Sequence, residues 1–220
     1  MSTGHEEAAM KRSGERRSVR RAAVAALVAG AVLVGASAPA TAVTPESKAH
    51  WGWYRWGTDT VPLRAFWLLD RTGNQTMHDA IAVWAAAWND ARARYLPSLP
   101  YVAALVDDAN VGNCFHTGLP QYSLAMACAG APEGNVVDTS VQLFPTSPPH
   151  IVSPFMRLNP GLDFNTMFTA VCHGMGVMVG LGVSSSATSC MHTTFALGQL
   201  VGYDSGDAVS LVELYTSHAD

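Results

Sequence analysis

The chain has 220 residues, 13 of them basic and 17 acidic, with a formal net charge of −4 and 49% apolar types. Residues 1–42 hold six of the basic and three of the acidic residues, which leaves residues 43–220 with 7 against 14 and a net charge near −7. A surface this acidic argues against nucleic acid as a partner, and nothing after residue 42 is long and apolar enough to span a bilayer.

The first 42 residues read as an export signal. KRSGERRSVRR gives a basic leader, and AAVAALVAGAVLVGA is an apolar run too short and too rich in small residues for a comfortable span. APATA then offers Ala40 and Ala42 in A-x-A spacing, so cleavage after Ala42 is expected. An uncleaved N-terminal anchor is the alternative. The mature chain is expected to be secreted or held in the cell envelope, with no membrane contact after cleavage. Its length suits one domain.

Residues 43–57, which include HWGWYRWG, form an aromatic lead-in expected to pack onto a domain at 58–220. An exposed aromatic binding strip is the other reading. VPLRAFWLLD (61–70) predicts a strand and RTGN (71–74) a turn. In TMHDAIAVWAAAWNDARARY (76–95), Met77, Ile81, Trp84, Trp88 and Tyr95 recur at helical spacing. Asp79 near its start and Arg92 and Arg94 near its end suit the helix dipole. Further strands are expected at 100–108, 122–129, 135–144 and 150–159, the last with a proline that points to an edge or a bulge. A helix over 165–179 precedes a loop to Cys190 and Met191. SGDAVSLVELYTSH (205–218) predicts a last helix with Ala208, Leu211, Val212 and Tyr215 on one side.

All four cysteines, Cys114, Cys128, Cys172 and Cys190, lie in the exported part. Two disulfides are expected there. Three pairings are possible, and the two short loops, Cys114–Cys128 and Cys172–Cys190, are the simplest. A zinc cluster is the alternative, but C-x2-C spacing is absent.

The stretch that bears on function is TAVCHGMGVMVGLGVSSSATSCM, residues 169–191. Two histidines at i and i+4 on a helix share one face and can hold a zinc ion. A glutamate after the first can act as general base on the metal-bound water. A glycine three residues past the second lets a third histidine swing back. His173 stands at the first of these positions, Gly174 where the glutamate belongs, Val177 and Val183 at the other two ligand positions, and Gly180 at the turning glycine. Met191 lies eight residues past Val183.

This frame resembles the metzincin metalloproteases, in particular small exported bacterial proteins of the matrixin branch. In those, a cysteine also precedes the histidine helix and another precedes the methionine, as Cys172 and Cys190 do here. The resemblance implies an α+β, zincin-like fold over the mature chain. It would have a mixed, mostly parallel twisted sheet of about five strands, two long helices, a methionine turn and a short C-terminal helix. It also implies that Cys172 pairs with Cys190, leaving Cys114 with Cys128.

What it implies about activity is negative, because the motif is disabled at three points. His173 is the one retained ligand position, and there is no catalytic residue. The chain is expected to be a pseudoprotease rather than an enzyme, with no cofactor, binding an extended peptide or protein as a monomer. Two rivals remain. One is an active zinc endopeptidase with a displaced site drawn from His150, His192, Asp163 and His173. The other is a cell-envelope interaction protein that uses the aromatic N-terminus. Serine chemistry at Ser184–Ser186 lacks a G-x-S-x-G elbow.

Overall fold

The protein is described here by a computed structural model covering residues 55–56, 65–97, 99–114, 124–144, 150–194 and 197–216. The expected export signal, most of the aromatic lead-in and the first residues of the strand expected at 61–70 fall outside them. The elements are β1 (Arg55–Trp56), β2 (Ala65–Arg71), α1 (Gln75–Arg94), β3 (Tyr101–Val106), a 3-10 turn (Asp108–Asn110), β4 (Leu124–Ala129), β5 (Val137–Phe144), β6 (His150–Leu158), α2 (Phe164–Met178) and α3 (Ser205–Thr216).

Strand side chains point alternately to opposite faces. In β2 this buries Phe66, Leu68 and Asp70 and exposes Ala65 and Trp67. β2 runs between β3 and β4 and is parallel to both. β4 pairs in parallel with the second half of β6, and the short β1 pairs in parallel with its first residues. β5 returns antiparallel along the other side of β6 and pairs with no other described strand, so it is an edge among the described strands. The class is therefore α+β with a mostly parallel sheet: five longer strands and the two-residue β1.

Pro154 marks a bulge and not an edge, since β6 is flanked on both sides. Ser140 pairs with Phe155 and Gln142 with Val152, so β6 carries one extra residue there. Ser153 takes a φ of 46° at that point. Proline cannot donate to a ladder. It sits where the pairing to β1 has ended, the pairing to β4 has not begun, and the register to β5 shifts. A cross-strand pair then pins the edge, with the Arg157 guanidinium donating twice to Asp138 Oδ2, at 2.9 and 2.5 Å.

α1 begins because the Asn74 side chain accepts from the Met77 amide, satisfying one of the unpaired amides of a first helical turn. Its stripe of Met77, Ile81, Trp84 and Trp88 is buried. The stripe ends sooner than its spacing predicts: Tyr95 leaves the helix as its C-cap and is 51% exposed. α1 packs on β3 and on α2, and α2 packs on β5 and β6, so both long helices cover one face. Asn89 fastens α1 to β3 by bonding both the amide and the carbonyl of Val102. In α3 the buried side includes Asp207, Ser210, Leu211, Leu214 and Tyr215, while Ala208 and Val212 are only half-buried, a shift from the expected face.

Cys114 bonds Cys128 and Cys172 bonds Cys190. The first ties the segment after β3 to β4, and the second ties α2 to the loop before α3.

Candidate functional site

α2 is built with defined ends. Asp163 caps it, its carboxylate accepting from the Asn165 and Thr166 amides and from the Thr166 hydroxyl. Those donors hold the exposed Asp163 carboxyl below its usual range, the Thr166 hydroxyl contributing most. At the far end Gly180 has a φ of 98°, a left-handed conformation that favours glycine. Its amide donates to the Val177 carbonyl at 3.1 Å, and the Leu181 amide to Gly176 at 2.8 Å. These two bonds close a Schellman motif. The chain turns away from the helix at the glycine where the sequence frame places a turn.

Half-buried His173 lies two turns before that end. Its Nδ1 is 2.8 Å from the Cys190 carbonyl oxygen. A carbonyl only accepts, so Nδ1 carries the proton and Nε2 the lone pair. Burial lowers the pKa of this imidazole, against a smaller upward pull from Cys190. The ring is neutral at pH 7. Met191 is fully buried beneath the helix, where a Cβ on Gly176 would run into its Sδ. Residue 176 must be glycine if Met191 is to lie this close. The Met191 carbonyl accepts from the Ser184 amide at 2.9 Å, which draws the 183–184 segment to the turn.

Beneath the turn lies Asp207, fully buried on the first turn of α3. Its Oδ2 accepts from the Ser189 hydroxyl at 2.5 Å and the Asp204 amide at 2.9 Å. Ser189 in turn accepts from the Met191 amide at 2.8 Å. Asp207 Oδ1 has no hydrogen-bond partner among the described residues. Burial pushes this carboxyl up to about 6 despite those donors. The sequence gave no hint of this chain of bonds, because Asp207 and Ser189 are remote in sequence and a lone Asp in a first helical turn reads as a dipole partner.

The other frame positions lie in different surroundings. A Cβ on Gly174 would lie 2.8 Å from Met156 Sδ and 3.2 Å from Val137 Cγ2. The space of a side chain at 174 is thus filled by β6 and β5. Val177 is half-buried and packs against the core. Val183 does not fill the corner with apolar surface, being 59% exposed. A catalytic zinc takes three protein ligands and water. One imidazole, two valines and a glycine do not fit that ion.

The residues weighed for a displaced site with His173 sit on three different segments of the fold: the start of α2, the opening of β6 and the loop after Met191. Asp163 caps the start of α2, and ten residues of helix put it about 15 Å from His173. His150 is buried at the opening of β6, and His192 Nδ1 is turned to Thr194. Among the described residues no three His, Cys, Asp or Glu side chains could hold a metal together. A separate polar cluster is structural. Buried Asp70 accepts from the Thr72 amide and hydroxyl and meets His78 Nδ1 at 2.5 Å, joining the end of β2 to the start of α1.

No protein-family model matches the chain, and no curated protein sequence matches it.

Proposed function

We propose that this protein is an exported, matrixin-like pseudoprotease that binds an extended peptide segment without metal chemistry. The observation that carries the reading is the meeting of edge strand β5 with the histidine end of α2. Val137 of β5 lies 3.2 Å from the Cβ position of Gly174, the neighbour of His173. A peptide added along β5 would pass this corner. Strand addition draws its affinity from main-chain hydrogen bonds, which need no ion. Arg157 and Asp138 hold β5 in register for such pairing. The reading is supported by the turn at Gly180, by Met191 packed under Gly176 and by the Cys172–Cys190 bond, which joins helix to loop at the corner where a metal would clamp them in a metzincin.

The test is binding of fluorescent gelatin peptides by the purified mature chain, with cleavage followed in the same samples. Binding without cleavage is expected, unchanged by chelator or by added zinc. Methylating alternate peptide nitrogens should abolish it, because the added strand loses its donors. Chelator-sensitive cleavage would reject the reading, as would binding indifferent to N-methylation.

A further inference from the structure

A recess of about 160 Å³ opens between α1, α2 and the start of α3. Its walls are Trp84, Trp88, Phe168, Tyr203 and Leu211. All of these except half-buried Tyr203 are at most 5% exposed, and Leu96 and Ala208 at the rim are half-buried, so the recess is deep and reachable. It belongs to a different side of α2 from the histidine corner: Phe168 and Cys172 line it at i, i+4 spacing, whereas residues 173 and 177 form the next row round the helix.

Two polar groups of these walls, those of Trp88 and Tyr203, are already engaged. Trp88 Nε1 donates to the Pro100 carbonyl at 2.8 Å. The Tyr203 hydroxyl donates to the Cys172 carbonyl at 2.9 Å. At the mouth, Asp204 Oδ1 accepts the Gly206 and Asp207 amides at 2.8 and 3.0 Å. What faces inward is mostly ring and aliphatic carbon, with Asp204 and Ser205 at the mouth. A charged or strongly polar guest would lose water and gain no partner. An apolar guest gives up no hydrogen bonds, and an apolar cavity of about 150 Å³ lined by Leu, Ile and Phe takes up benzene or xenon.

We propose that this recess is a binding site for a small, uncharged, single-ring or similarly sized apolar molecule. The proposal is independent of peptide binding at β5. Its test uses toluene as probe and benzoate as the charged molecule of the same ring size. The melting temperature of the intact mature protein is measured at rising concentrations of each. Toluene should raise it in a saturable way by roughly 2–4 °C, since a ligand bound only to the folded state stabilises it. Benzoate should leave it unchanged.

Ala91→Phe and Ala208→Leu, made separately, should each fill the recess and erase the toluene response while the chain stays folded. Two variants at two walls guard against one failing to fold. The proposal is overturned by a wild-type protein with no saturable toluene response. An equal response to benzoate overturns it too, as does a folded filled variant that responds like wild type.

Discussion

His173 Nδ1 donates to the carbonyl oxygen of Cys190 at 2.8 Å, and Cys190 is bonded to Cys172, the residue before that histidine. Helix and loop are therefore joined twice at one corner, once covalently and once by a hydrogen bond. The covalent link closes a loop of 18 residues in sequence.

Replacing Cys172 and Cys190 together by serine should cost about 2–4 kcal/mol, through the freedom restored to the unfolded chain. Urea unfolding of variant and wild type measures it, and a change below 1 kcal/mol would count against a clamp at this corner. Peptide mapping without reduction checks the pairing itself. A cross-link between Cys114 and Cys172 would contradict it.

Asp207 sets a pH dependence with a definite sign. Its folded carboxyl titrates near 6, above the ordinary value of about 3.9 for an unfolded Asp. The folded state binds this proton more tightly, so stability from this group is greatest below the unfolded pKa and falls as pH rises through 6. Two units correspond to roughly 3 kcal/mol. Asp207→Asn removes the titration, so the variant should gain on wild type between pH 3 and pH 7 by up to about that amount. His173 acts in the opposite sense: its lowered pKa means stability lost as pH falls below the ordinary histidine value. That contribution is common to both proteins and cancels in the difference. A difference that stays flat over this range contradicts the assignment.

Gly174 should resist enlargement. Its Cβ position is 2.8 Å from Met156 Sδ, so Gly174→Glu must displace the sulfur or the helix. Overpacking of this kind costs about 1–3 kcal/mol, against less than about 1 kcal/mol returned by replacing a helical glycine. Met156→Ala in the same chain opens the space, although it removes buried surface itself. The two substitutions together should then be less destabilising than the sum of each alone. Strict additivity in unfolding experiments would show that the two residues do not touch.

The helices and the sheet order of burial were legible because their signals are local. Apolar spacing pointed to α1, and a run of large apolar residues pointed to β2. The α+β class and the pairing of Cys172 with Cys190 were implied by the family resemblance, with the two short loops as the simplest of three pairings, and both disulfides are present. Capping was less visible: Asn74 reads as a turn residue until its side chain is seen accepting from Met77. Pro154 announced an irregular strand, yet whether it was an edge or a bulge depended on which strands flank β6, and that is a long-range property. At the site, the frame positions could be counted along the chain. Counting places Val183 at a ligand position but does not reveal that its side chain lies in solvent beside the Ser184–Met191 bond. Asp207, Ser189 and the recess beside Trp88 involve three segments that meet only in the fold.

The central claim is that residues 173, 177 and 183 form a metal corner that has lost its ligands. The most direct measurement is zinc binding by Gly174→Glu, Val177→His and Val183→His combined, with Met156→Ala to admit the glutamate. Residues 173 and 177 are one helical turn apart, Gly180 turns the chain after them, and exposed Val183 leaves room for a histidine. Equilibrium dialysis and melting curves should find one zinc per chain and a higher melting temperature with zinc, neither of which the wild type should show. A variant that folds as the wild type does yet takes up no zinc would mean that the three positions do not converge, and would contradict the account.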